Sequence, residues 1–289
     1  MKRSPVFLYA MLAFGFAFLY VPILLLILYS FNESRLVTVW GGFSLKWYAE
    51  LFRNEQMLNA ALVSLRVAVT SATIATVLGT LSALMMGRFG RFRGRLLFTG
   101  MITAPLVMPE VITGLSLLLL FVSLETVIGW PAGRGIDTIT IAHTTFCMAY
   151  VNVVVQSRLV GLDRSVEEAA MDLGARPLKA FLVITLPMLA PALVSGWLLS
   201  FTLSLDDLVI ASFVAGPAST TLPMVVFSSV RLGVTPEINA LATLLVLLAT
   251  ATILIAAGFM WRQERERERV ATKALKTERG GSHTSSSRP

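Results

Sequence analysis

An all-α membrane protein with six transmembrane helices is the fold class this sequence predicts, on three observations. Hydrophobic residues make up 55% of the 289, only 14% are charged, and the mean hydropathy is +0.75, too apolar for a chain that must cover itself with a water-facing surface. The apolar residues gather into runs of about twenty or more, the length a helix needs to cross a hydrocarbon layer of ~30 Å. Lys and Arg concentrate in alternate connections between those runs.

The first run, Val6 to Ser30, follows Lys2 and Arg3. It is longer than a signal-peptide core and lacks an A-x-A cleavage site, so it reads as a retained span. Leu62 to Met86, Leu96 to Leu124, Thr138 to Ser157, Met188 to Ala211 and Ile238 to Met260 supply the other five. Six crossings return both termini to one side. That side carries 18 Lys and Arg, in the two ends and the segments around Arg88 to Arg95 and Arg158 to Lys179; the opposite side carries five, Arg35, Lys46, Arg53, Arg134 and Arg231, with Arg66 inside a span. The positive-inside rule therefore makes both termini cytoplasmic. The net charge of +7 is a topology signal, and nucleic-acid binding is a poor explanation of it.

On the outer side, Asn32 to Ala61 carries Trp40, Trp47 and Tyr48, as expected of a segment lying at the membrane interface. Leu222 to Val230 is apolar but too short to span, which suggests a re-entrant or interface-lying helix that caps the pathway from outside. Residues 1–261 thus form the transmembrane domain. The tail, 262–289, alternates Arg and Glu and ends in GGSHTSSSRP; its first part can extend the last helix through charge pairs and its end has a disordered composition.

One polar island interrupts the pattern, Ser165 to Pro187 within the cytoplasmic loop 158–187. Ser165 and Glu168 make a capping box. Val166, Ala169, Ala170 and Leu173 then form a shallow apolar stripe at helical spacing. Gly174 can take the left-handed angles that close a helix, Arg176 and Pro177 suit an immediate restart, and Pro187 is expected to end the second helix. The pattern fits either a surface loop or a helix that plugs into a groove on another subunit.

Ionisable residues within spans are costly and are the first functional candidates. Glu110 lies mid-way through the third run, after Pro105 and Pro109, which free backbone carbonyls and bend or break the helix, as beside transport sites. Asp206 and Asp207 lie in the fifth run. Adjacent helical residues point about 100° apart, so at most one faces a pathway squarely and the other pairs locally. Three acids against Arg66 make the interior negative, which suits a cationic cargo. The competing reading is that hydroxyls, backbone donors or Arg66 hold the carboxylates merely to fix packing.

Several chemistries lack their residues. No G-x-x-x-x-G-K-[ST] loop for ATP, and no G-x-S-x-G, H-E-x-x-H or C-x-x-C motif, occurs. His143 and Cys147 stand one turn apart, but a lone imidazole and a lone thiol make no metal site, and core packing with His143 satisfied by a neighbour is the better reading. No cofactor, metal or catalytic residue is expected.

Glu168-Ala169-Ala170, Gly174, Ile184, Leu186 and Pro187 resemble the EAA loop of ABC importer permeases. FNESRLVTVWGG with KWYAELF, ITAPLVMPEVITGLSLLLLF, SLDDLVIASFVAGP and TTLPMVVFSSVRLGVTPEINALAT are similar to the permease subunits of polyamine ABC importers, those for putrescine in particular. The resemblance implies a type I importer permease fold in a bacterial inner membrane. It also implies a second permease, two copies of a cytoplasmic ATP-binding subunit and a periplasmic putrescine-binding protein as partners. Glu168, Ala169, Ala170 and Gly174 carry over as the ATPase contact; Glu110, Asp206 and Asp207 as cation path rest on the residues alone. An importer permease for spermidine, an opine or iron, a stand-alone secondary transporter, and an intramembrane enzyme are the alternatives.

Overall fold

The structure, a computed structural model, describes residues 5–254 apart from 37–38, 89, 91, 164, 234, 248–249 and 252–253. Among the described residues all extended regular structure is helical, with one isolated antiparallel bridge between Asn32 and Phe43. Contacts divide the chain into two compact units, one of Met1–Arg53 with Val234–Pro289 and one of Asn54–Gly233. The tail 262–289, and most of the sixth run beyond Leu247, lie outside the described residues.

In the first unit α1 (Pro5–Tyr29) is apolar throughout, and its side chains from Val6 to Leu24 are almost all exposed, the surface a helix offers to lipid. The loop after it is built on Asn32. Its Nδ2 donates to the Val39 carbonyl (2.7 Å), and its Oδ1 accepts from the Gly41 N–H (2.7 Å). Trp47, on α2 (Lys46–Leu51), donates its indole N–H to the Asn32 carbonyl at 2.6 Å and is 2% exposed. Trp47 is a buried strut, its indole N–H satisfied by that acceptor, while Trp40 remains half exposed. The described part of the sixth run belongs to this unit as a helix over 236–247.

The second unit is a bundle of α3 (Glu55–Arg88), α6 (Ile136–Val160) and α9 (Leu186–Asp206), flanked by α4 (Arg95–Val107) and α5 (Glu110–Ile128). Small residues let these helices approach. Ser64, Ala68, Ser71, Ala72, Ala75, Gly79, Ser82 and Ala83 are buried along one stripe of α3. A Cβ on Gly79 would stand 2.6 Å from the Val151 Cβ and 2.8 Å from the Met148 carbonyl of α6, so hydrogen alone fits that crossing. Interhelical hydrogen bonds then fix the register, a larger matter in lipid than apolar driving force. Asn152 donates to Ser82 Oγ at 2.6 Å and Trp197 Nε1 to Thr73 Oγ1 at 3.1 Å.

Five helices are long and apolar enough to cross a membrane among the described residues: α1, α3, α5, α6 and the continuous helix Pro177–Asp206. The third run is not one helix. Met108 and Pro109 are extended (ψ 137° and 138°), so α4 ends at Val107 and α5 restarts at Glu110. Pro105 is absorbed within α4; the break falls at the second proline, as the residue before a proline disfavours helical angles. The fifth run also ends early. Helix α9 stops at Asp206, Asp207 takes an extended ψ of 124°, and α10 (Val209–Val214) follows. Helix α11 (Leu222–Leu232) is too short to span, as expected, and its first N–H donates to Ser64 Oγ at 2.7 Å.

Candidate functional site

The island folds as two helices. Helix α7 (Ser165–Asp172) begins where Asp163 Oδ1 accepts the Ser165 backbone N–H at 2.9 Å, so Asp163 serves as the cap that the sequence placed on Ser165. That N–H, followed by the Ser165 hydroxyl, holds the exposed Asp163 carboxyl below the usual carboxylate range. The C-terminus is a Schellman motif. Gly174 has φ +89°, its N–H donates to the Met171 carbonyl (2.9 Å), and the Ala175 N–H donates to the Ala170 carbonyl (3.0 Å).

The chain restarts at Pro177, the first residue of α8 (Pro177–Ala180). Here one expectation fails: Pro187 does not end the second helix. A π-turn over Phe181–Thr185 leads directly into α9, with the Leu186 N–H reaching back five residues to Phe181. The wider turn re-sorts the carbonyls that a proline would leave unpaired, so Pro187 enters as an early residue of the next helix.

No residue of α7 is buried. Glu168, Ala169 and Gly174 are exposed, Ala170 is half-buried on the side turned to the body, and Leu173 and Leu178 are 91% and 70% exposed. The island thus presents a shallow apolar face that the described residues leave uncovered. What ties α7 to the body is a residue the sequence reading passed over. Glu167 takes Arg88, the last residue of α3, in a two-pronged ion pair at 2.7 and 2.6 Å. Arg88 also donates to Thr185 Oγ1 at 3.3 Å and lies over the Phe181 ring at 5.9 Å. A cavity of about 160 Å³ lies against the pair, between the ends of α3 and α6 and the π-turn. Arg88 entered the sequence reading as a topology charge only. The available signal was that Glu167 and Glu168 point to different sides of a helix, so one of them had to face the body.

The three interior acids are placed differently. Asp207 is buried (9%) and fully engaged. It accepts the backbone N–H of Ala211 at 2.8 Å and of Ile210 at 3.3 Å, capping α10, and accepts His143 Nε2 at 3.0 Å. His143 Nδ1 is then the acceptor for Ser204 Oγ (2.7 Å), and Ser204 accepts from Ser71 Oγ (2.9 Å). This chain of donors joins α3, α9 and α6 at the break after α9. Asp206, beside it, is exposed. The sequence expectation that one of the two acids pairs locally fits this arrangement, and the partner is His143. Glu110 is exposed as the first residue of α5, where a carboxylate meets the positive end of the helix dipole.

The two helix breaks are neighbours. A Cβ on Gly114, one turn beyond Glu110, would stand 3.3 Å from the Ile210 Cα and 2.7 Å from the Phe213 ring. Helices α5 and α10 therefore touch within about one turn of either break, which brings Glu110 and the Asp206–Asp207 pair to one region. Both breaks carry acids, and discontinuous helices occur beside the binding sites of many transporters. Among the described residues no group of three or more His, Cys, Asp and Glu could hold a metal ion, and the Ser204, His143 and Asp207 side chains are too buried to meet a substrate as a nucleophile and base.

Residues 75–268 match the family described as binding-protein-dependent transport system inner membrane component. The chain is 62% identical over 272 residues to the putrescine transport system permease protein PotI of Escherichia coli K12, covering 94% of this chain and 96% of that one. It is 44% identical over 241 residues to the spermidine/putrescine transport system permease protein PotC of Haemophilus influenzae, with 83% and 91% covered. Among solved structures, a chain of a bacterial ABC transporter involved in import of the acidic polysaccharide alginate shares the fold with a TM-score of 0.69 at 15% identity, over 89% of this chain and 98% of that one.

Proposed function

This chain belongs to the family of binding-protein-dependent transport system inner membrane components, and from that premise we propose that it is the permease that carries putrescine in an ATP-driven importer. The observation that carries the cargo is identity to a putrescine permease sustained over 94% of this chain and 96% of the relative. A second reading, spermidine as cargo, is favoured by the relatives at 44% identity, which are named for both polyamines.

The partners follow the same premise: a second, similar permease chain, two copies of a cytoplasmic ATP-binding subunit, a periplasmic putrescine-binding protein, and lipid against helices such as α1. The excess of Lys and Arg in the segments shared with the termini supports cytoplasmic ends and a cytoplasmic island. Glu168, Ala169 and Leu173 present the docking face, Ala170 is small enough for α7 to lie close to the body, and Gly174 sets the turn between the two helices. Closure of the ATP-binding subunits moves the island and swings the bundle from the inward-facing to the outward-facing state, an equilibrium that both ATP and loaded binding protein bias.

In the pathway, Glu110 and Asp206 offer free carboxylates to a cation. Asp207 adds negative potential from beneath while its oxygens hold the α9–α10 break. Carboxylates at membrane depth attract an ammonium cargo and repel anions.

The test is reconstitution of the chain with its partner subunits in proteoliposomes. Putrescine-loaded binding protein should raise ATP hydrolysis, and labelled putrescine should accumulate inside. A response to spermidine with none to putrescine overturns the cargo, and uptake by this chain alone overturns the importer.

A further inference from the structure

We propose that the Arg88–Glu167 ion pair is the strut that transmits movement of the island into the membrane bundle, which makes Arg88 and Glu167 positioning residues for transport; this rests on the coupling role proposed above for the island.

Helix α7 has no fully buried residue, so its apolar contact with the body is a weak handle for moving it. The chain itself holds α7 at both ends, back to the end of α6 and on through the Gly174 turn to α8 and the π-turn. The two-pronged pair adds a side-chain link to the end of α3, to which the chain gives α7 no direct connection, and its planar fork fixes orientation as well as distance.

Arg88 is the terminal residue of α3. Its guanidinium meets Glu167, Thr185 and the Phe181 ring together. The pair thus closes a triangle of α7, the end of α3 and the π-turn at the base of α9, and a closed triangle transmits a push where an open hinge does not. Side-chain exposures of 29% and 15% shelter the pair from the screening that makes surface ion pairs weak. A cavity of about 160 Å³ adjoins the pair. Helices α3 and α9 both reach the buried Ser71–Ser204 contact beside the α9–α10 break, so force delivered at Arg88 and Thr185 arrives at the acids of the proposed pathway.

The experiment measures putrescine taken up per ATP hydrolysed in proteoliposomes holding the complete transporter. Arg88→Glu and Glu167→Arg should each still co-purify with the ATP-binding subunits and hydrolyse ATP, with uptake per ATP lower by about tenfold, a coupling in the range of contacting pairs. The double reversal should restore most of the loss. Glu167→Gln, which keeps the shape and removes the charge, should show the loss without reversal and answers the question if the reversed chains do not assemble. Singles with wild-type uptake per ATP, a double reversal no better than the singles, or a wild-type ratio in Glu167→Gln would overturn the strut. A Gly174→Val chain separates the two levels: normal uptake there removes the coupling role of the island and the strut with it, whereas failed uptake there with no charge-swap rescue removes the strut alone.

Discussion

Replacing Asp207 with alanine should destabilise the second unit far more than replacing Asp206, although the two are adjacent and chemically identical. The alanine removes the acceptor for two backbone N–H groups and for His143 Nε2. An unsatisfied buried donor costs about 1–3 kcal/mol. Hydrogen bonds between membrane helices average only about 0.6 kcal/mol, because the separated helices find other partners. Two of the three bonds, however, are a helix cap within one chain segment, and the Ile210 bond at 3.3 Å is long. Weighing these, we expect a loss near ~3 kcal/mol. By the usual scaling for domains of this size, that is a fall in melting temperature of about 6–12 °C. Asn at 207 keeps one acceptor oxygen and should lose about half as much. Asn at 206 removes an exposed charge and should stay within about 0.5 kcal/mol of wild type, while uptake of putrescine falls. The assay is thermal unfolding of the purified chain in detergent, beside uptake in proteoliposomes. An Asp207→Ala chain that melts with wild type refutes the reasoning about the break, and unchanged uptake in Asp206→Asn removes that carboxylate from the pathway.

Gly174→Asn should transport nearly normally, since Asn tolerates left-handed angles and its Cβ meets nothing here. Gly174→Val should lose transport through a strained turn costing about 1–2 kcal/mol and a side chain on the docking face; rates of uptake at equal membrane abundance decide, and equal rates in both refute the coupling role. Gly79→Ala should cost about 1–3 kcal/mol by overpacking, because its Cβ would press on the Val151 Cβ and the Met148 carbonyl. Gly100→Ala in α4, where a Cβ meets nothing within 4 Å, should be neutral or stabilising by up to about 1 kcal/mol. The two melting temperatures, read together, check the close crossing of α3 and α6.

Much that depends on neighbours in the chain was legible without coordinates, though the cap at Asp163 and the π-turn before Pro187 were not. Among the described residues the first, second and fourth apolar runs located α1, α3 and α6, because length and hydropathy decide whether a helix can enter lipid. Gly174 announced its left-handed turn, and Pro109 its break, because backbone sterics act within one or two residues. The apolar stripe on the otherwise polar island is where Val166, Ala169 and Leu173 stand exposed along α7 and just past its end.

What only the tertiary structure decided is the use made of each charge and the true ends of two helices. Glu167 turns to Arg88, 79 positions away, and Asp207 to His143, 64 away; no local pattern states which acid will find a base and which will be left free. Trp47 likewise became a buried strut, since the Asn32 carbonyl was within its reach. Helix α9 ended at Asp206 because the following acid could cap a new helix and meet an imidazole, and Pro187 failed to end its helix because a π-turn took up the strain. In each case the energy of a polar group in a low-dielectric interior depends on the partner that folding brings to it, and that partner is encoded in another helix.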